Sequence, residues 1–202
     1  VALSTRGGTA LLARLHPEWH AGPFATPMVA PEQEDAPYRE VHNDQGTGIS
    51  SAVGSLLVSK RGTLIVQDAR GQTLTESEPL LPDHPVINLS TTPQTRFYGR
   101  GASPLDAGQL ASGEMVHPLV CNRATYAPYY YSTDGYALLG AANQTDAYKM
   151  PVVYQSNGSF VTWHAWVLKG AFQLYFMPAE TLARGTQAYY ALTGAPPVPP
   201  RW

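Results

Sequence analysis

From Gly54 onward, short apolar stretches alternate with turn residues. Ser55 to Ser59 is an apolar run, Lys60-Arg61-Gly62 a turn, and Thr63 to Asp68 a run rich in β-branched side chains. Ala69-Arg70-Gly71 turns the chain again before the alternating stretch Gln72 to Glu76. Such spacing predicts two or three tightly joined antiparallel strands. Val86 to Leu89 predicts another. In the second half the candidate strands are Val116 to Cys121, Tyr129 to Ser132, Tyr136 to Ala141, Val152 to Gln155, Phe160 to Leu168 and Phe172 to Met177. Asn157-Gly158 is the strongest hairpin signal. Along Phe160 to Leu168 both alternating faces carry large apolar groups, as in a strand covered on both sides.

One helix is predicted near the end, about Thr186 to Thr193. Thr186 can cap its start, and Gly194 suits the left-handed position after its last turn. Pro196-Pro197 cannot continue a helix, and the tail to Trp202 reads as stiff and extended. Residues 1–50 show no clear period. Five prolines between Pro17 and Pro37 point to irregular chain over a surface, because proline lacks a backbone donor. Asn43 to Gly48 is turn-rich. The sum predicts an all-β fold: a large antiparallel β-sandwich with one short C-terminal helix and a Pro-rich tail.

Composition supports that picture. The 202 residues are 44% hydrophobic, enough for a sizeable core. Charged residues are only 14%, against roughly 25% in an average domain. Gly and Pro contribute 18 residues each, the mark of frequent turns. The net charge is −2 and no basic block exists, so no nucleic-acid or anionic-membrane partner is expected. The lone Cys121 excludes an internal disulfide framework and a cysteine-based zinc site. No apolar run approaches the roughly 20 residues that span a bilayer. The chain begins at Val1 rather than Met, as an excised or processed product would.

Chemistry-bearing residues are sparse. Neither a Gly-x-Ser-x-Gly elbow nor a Gly-x-x-x-x-Gly-Lys-Ser/Thr loop is present. His16 and His20 are four apart, but Pro17 between them breaks the helix that would align them, and they read as loop histidines. His164, set between Trp163 and Trp166, reads as a hydrogen-bonded sheet histidine. Asp134-Gly135 reads as a turn and Glu180 as a helix-start charge. Asp106 and Glu114 lie in a Gly/Ser-rich loop with room for a functional role. Ten of the 12 tyrosines lie in the second half, with Tyr126, Tyr129, Tyr130, Tyr131 and Tyr136 clustered. Tyrosine rings serve as sugar-stacking platforms and equally as sheet-core residues. No cofactor and no metal is expected.

Four segments resemble a known family. Phe97-Tyr98-Gly99-Arg100-Gly101 is similar to a Phe-Tyr-Gly-x-Gly segment of glycoside hydrolase family 31. Tyr126 to Ser132 followed by Gly135 to Leu139 resembles its Tyr, Pro-Phe, Ser, then Gly-Tyr-Gly strand pair. Tyr189 to Gly194 resembles the helix that ends in Leu-Thr-Gly, and Ala195 to Trp202 resembles its Pro-rich bridge. Gly54 to Leu74 resembles the family's hairpin with an Asp-x-x-Gly turn. The family holds α-glucosidases, α-xylosidases and α-glucosyltransferases.

The resemblance implies a galactose-mutarotase-like sandwich over residues 1–194 and a linker over residues 195–202 into a (β/α)8 barrel. It implies that this sandwich is a non-catalytic N-terminal domain. Both catalytic carboxylates would then lie in the barrel, so no catalytic residue is expected in this chain. The implied partners are the barrel of the same polypeptide and, through it, an α-linked oligosaccharide. The family's loop before the Tyr-Pro strand reaches the barrel mouth. Its matching positions make Asn122, Arg123 and Tyr126 the candidate substrate-binding residues. Ala124 stands where several members carry an acid. A free-standing carbohydrate-binding module is the alternative that the tyrosine cluster keeps open. A sugar epimerase on the same sandwich would need a histidine and glutamate couple, for which no histidine is placed.

Overall fold

The computed structural model describes residues 1–15, 29–30, 36–80, 86–102, 109–111, 125–142, 152–156, 160–165 and 172–195. Eight strands occupy its first half: β1 (Ala2–Arg6), β2 (Ala10–Leu15), β3 (Arg39–His42), β4 (Thr47–Ser50), β5 (Gly54–Val58), β6 (Leu64–Asp68), β7 (Thr73–Glu76) and β8 (Val86–Ser90). The second half contributes β9 (Arg96–Ala102), β10 (Gln109–Ala111), β11 (Thr125–Ser132), β12 (Tyr136–Ala142), β13 (Val152–Ser156), β14 (Phe160–Ala165), β15 (Phe172–Pro178) and the helix α1 (Leu182–Thr193).

The strands form two antiparallel layers. One is a seven-stranded sheet in the order β1-β2-β15-β12-β11-β9-β10. The other is built from a five-stranded sheet, β3-β4-β5-β6-β7, and a three-stranded one, β13-β14-β8. Ser77 bridges Leu89 between these two pieces. The Glu78 N–H donates to the Asn88 carbonyl at 2.9 Å, and the Thr75 hydroxyl donates to the Ser90 carbonyl at 2.9 Å. Five strands and three therefore run on as one surface. Across the sandwich β2 lies against β5, β15 against β6 and β1 against β4.

Strand alternation explains the core. Leu11, Leu56, Leu64, Val66, Leu89, Phe97, Leu138, Leu174 and Phe176 meet between the layers. The intervening Ala10, Leu12, Ala137, Leu139, Tyr175 and Met177 face the other way and are buried as well, beneath α1 with its Leu192. The central strands of the seven-stranded sheet are thus apolar on both faces, as strands covered on both sides must be. Each buried leucine or phenylalanine contributes about 1.5–3 kcal/mol.

The hairpin predicted around Asp68 is present. Asp68 Oδ1 accepts from the N–H groups of Arg70 and Gln72, both at 2.9 Å, and Gly71 takes φ 81°. β13 and β14 pair antiparallel around Asn157-Gly158, whose own residues lie outside those described, as does the predicted strand Val116 to Cys121.

The N-terminal region, where no period was legible, holds β1 to β4 on either side of the proline stretch, and Val29 and Ala30 within that stretch carry no regular structure. One expectation is corrected. The helix starts a full turn earlier than predicted. Its N-cap is Thr181, whose hydroxyl accepts from the Arg184 N–H at 3.3 Å. Thr186 sits inside the helix and bonds back to the Leu182 carbonyl at 2.9 Å. Gly194 closes the helix as expected, with φ 88° and its N–H on the Tyr190 carbonyl at 2.9 Å.

Candidate functional site

The tyrosine cluster is divided between the two faces of its sheet. Tyr130 and Tyr136 point between the layers and are fully buried. Their hydroxyls stand 3.2 Å apart, and Phe97 meets the Tyr130 ring edge-on at 5.0 Å. Tyr129 and Tyr131 lie on the opposite face, under α1, with the Tyr129 ring 4.3 Å from that of Tyr189. Burial pushes the Tyr129 phenol up to about 12. Burial also raises Tyr131 and, more strongly, Tyr136. Of the two readings open for these four tyrosines, sugar platform or sheet core, the structure bears out the second: their rings are packing groups. A buried ring has no face left for a sugar.

Of the three residues expected to touch substrate, Asn122 and Arg123 lie outside the described residues. Tyr126 belongs to β11, where its backbone pairs with Gly101 of β9. Between that pair and the next, Tyr130 with Gly99, the register shifts. Ala127, Pro128 and Tyr129 stand opposite Arg100 alone, so β11 holds a bulge of two extra residues. Pro128 cannot donate to a ladder, and such prolines belong at bulges or edges. Gly99 takes φ 127°, a region that only glycine enters easily.

The bulge divides the sheet into a fork. From Tyr129 to Ser132, β11 pairs with β12, the pairing running from Tyr129 with Leu139 to Ser132 with Tyr136. Before the bulge, Thr125 and Tyr126 follow β9, while β12 continues along β15 as far as Ala142 opposite Phe172. β13 lies against both β11 and β12. Sequence reading placed no bulge here; proline inside an otherwise strand-like tyrosine run was the available signal.

Five of the described carboxylates, Asp68, Glu76, Glu78, Asp134 and Glu180, hold turns and edges together. Asp134, at the β11–β12 turn, accepts from the Thr95 hydroxyl at 2.9 and 3.0 Å and from the Ser132 hydroxyl at 3.2 Å. Burial raises it above its ordinary range, partly offset by these hydroxyls. For Asp68, burial pulls upward, but the bonds from Gln72 and Arg70 outweigh it and the net shift is downward. Arg70 also reaches Glu180 at 2.9 Å, tying the β6–β7 turn to the residue before the helix cap. Glu76 accepts from the Thr63 hydroxyl at 2.7 Å, and Glu78 from the Asn88 amide. Asp106 and Glu114 lie outside the described residues, as do His16 and His20. The backbone of His164 pairs in β14 with Val153 and Val86. Among the described residues, no group of three His, Cys, Asp or Glu side chains gathers as a metal site, and no helix is long and apolar enough to cross a membrane.

No family model and no curated protein matches this sequence. Solved structures do match. The chain superposes, over 99% of its length and 35% of the other, on a GH31 α-xylosidase from a soil metagenome complexed with xylose, with TM-score 0.72 and 17% identity. It has the fold of one part of a family 31 enzyme. A GH31 dextranase from Flavobacterium johnsoniae, complexed with isomaltotriose, matches all of this chain with 29% of its own, at TM-score 0.64 and 16% identity. The GH31 α-xylosidase of Xanthomonas citri matches 93% of this chain with 37% of its own, at TM-score 0.62 and 10% identity. The chain thus spans about a third of the length of these family 31 enzymes. Identities this low speak to the fold alone, and the fold is the antiparallel sandwich that the sequence predicts.

Proposed function

We propose that this chain is the non-catalytic N-terminal β-sandwich domain of a family 31 α-glycoside hydrolase or transglycosylase acting on α-glucosides or α-xylosides. The observation that carries the reading is the superposition of nearly the whole chain on about a third of a GH31 α-xylosidase. Sequence supports it through the Phe97 to Gly101 segment, the Tyr126 to Leu139 strand pair and the Leu-Thr-Gly end of the helix. A galactose-mutarotase-like sandwich over residues 1–194, followed by a linker over 195–202 into a (β/α)8 barrel, is the domain plan that fits.

On this reading the bond-breaking chemistry belongs to the barrel. A retaining α-glycosidase uses one carboxylate as nucleophile, forming a glycosyl-enzyme, and a second to protonate the leaving oxygen and later activate water. The sandwich supplies support, and Asn122, Arg123 and Tyr126 edge the substrate at the barrel mouth. The roles of Asp134, Asp68, Glu76, Glu78 and Glu180 in turns and strand edges agree with a supporting part. The burial of Tyr129, Tyr130, Tyr131 and Tyr136 counts against a free-standing sugar-binding module, since the platform that motivated it is enclosed.

Incubating the purified 202-residue chain with 4-nitrophenyl α-D-glucoside and α-D-xyloside tests the division of labour. Absence of nitrophenol release is the expected result. Turnover that survives repurification would assign the carboxylates to this chain and refute the proposal.

A further inference from the structure

The fork in the seven-stranded sheet rests on one backbone contact. A β-carbon built on Gly99 would lie 2.8 Å from the Tyr129 carbonyl oxygen, 3.1 Å from the Tyr129 ring and 3.1 Å from the Tyr130 Cα. No real side chain tolerates the first of these distances. At φ 127° an L-residue is strained in any case. Tyr129 cannot readily yield, because its ring is held between the sheet and α1 against Tyr189. Tyr130, next in the chain, is fixed in the core by Phe97 and Tyr136. Any group added at position 99 must therefore push β9 away from β11 at the bulge, beside the pairs that Ala102 and Gly101 make with Thr125 and Tyr126.

We infer that Gly99 is a positioning residue: its bare backbone seats the two-residue bulge at Ala127–Tyr129 and so sets the direction in which β11 carries Tyr126. The inference rests on the reading proposed above, in which Tyr126 meets the substrate. It explains why two paired strands inside a sheet carry, opposite one another, a proline on β11 and a positive-φ glycine on β9. Loss of a contact that substrate and transition state share raises KM and leaves kcat unchanged.

The test uses the full-length gene product with Gly99→Ala, Pro128→Ala, Tyr126→Ala and Gly62→Ala. Gly62 also has positive φ, 79°, but open space around it, so it controls for glycine strain alone. Two readouts are taken: hydrogen–deuterium exchange of the peptide covering residues 125–130, and kcat and KM on an α-linked disaccharide. Gly99→Ala is expected to speed exchange in that peptide and to raise KM about 10-fold or more with kcat nearly kept. Pro128→Ala should move both readouts the same way by less, and Gly62→Ala neither. Wild-type exchange and KM in Gly99→Ala would overturn the inference, as would an equal effect from Gly62→Ala. Should Gly99→Ala fail to fold, wild-type values in Pro128→Ala would overturn it. A wild-type KM in Tyr126→Ala would remove the substrate-contact reading instead, and the exchange data would still decide the role of Gly99.

Discussion

Gly185 of α1 faces Tyr131 so closely that a β-carbon on it would lie 2.9 Å from the ring's Cδ2 and 3.2 Å from the Ala137 Cβ. The helix therefore docks on the sheet through its one glycine. Alanine would favour an isolated helix by about 1 kcal/mol, but overpacking a filled interface costs about 1–3 kcal/mol. The contact should win. Gly185→Ala is expected to lower the urea midpoint, with a net loss of about 1 kcal/mol, while the exposed Gln187→Ala changes little. Stabilisation by Gly185→Ala would show that the helix does not sit this close.

The helix start gives a second expectation. Thr181 satisfies the Arg184 N–H at 3.3 Å, and removing such a cap costs about 1 kcal/mol. Thr181→Ala should lose about that much in urea unfolding, and Thr181→Ser should retain most of it. If Thr186→Ala were the more damaging change, the cap would lie where the sequence alone suggested.

Asp134 makes stability depend on pH in an unusual direction. Its folded pKa is raised, chiefly by burial, so the folded state holds the proton more tightly than the unfolded chain. Its contribution is fully favourable below the ordinary carboxylate pKa and is lost as pH rises through the raised value. Relative to Asp134→Asn, the wild type should therefore lose stability as pH rises through that window. Parallel stability profiles of the two proteins would remove this role.

The buried phenols set an alkaline limit. Tyr129 is pushed up to about 12 and Tyr136 further, both by burial. A raised phenol keeps its proton in the folded state. Its stabilisation is intact below the ordinary tyrosine value near 10 and is lost as pH climbs toward the folded value. Absorbance at 295 nm, followed with circular dichroism, should show these tyrosines ionising together with unfolding. Full ionisation of all 12 tyrosines with the sheet intact would contradict their burial.

Much of the fold could be read from local chemistry. The Asp68 turn, the Asp134-Gly135 turn and the Gly194 stop each state their geometry in two or three residues, and the antiparallel pairing of β13 with β14 was legible too. What could not be read depends on distant partners. Ala10-Leu11-Leu12-Ala13 does not alternate, because the core covers one face of β2 while the other face is buried too, so no period-two signal survives. The tyrosines of β11 announce aromatic packing but not which face each ring takes. Pro128 marks an interruption, yet the bulge is defined only by Gly99, 29 positions earlier, across the strand pair. The candidate contact residues were legible only through family resemblance, since no spacing of acids or histidines pointed to them.

The most direct test of the central claim is to compare the native full-length gene product with the 202-residue chain for hydrolysis of α-linked glucosides and xylosides, reading the anomer first released. The account predicts turnover with retained configuration by the full-length protein and none by the sandwich. A full-length product inert on every α-glucoside and α-xyloside, or a sandwich that cleaves them unaided, would contradict it.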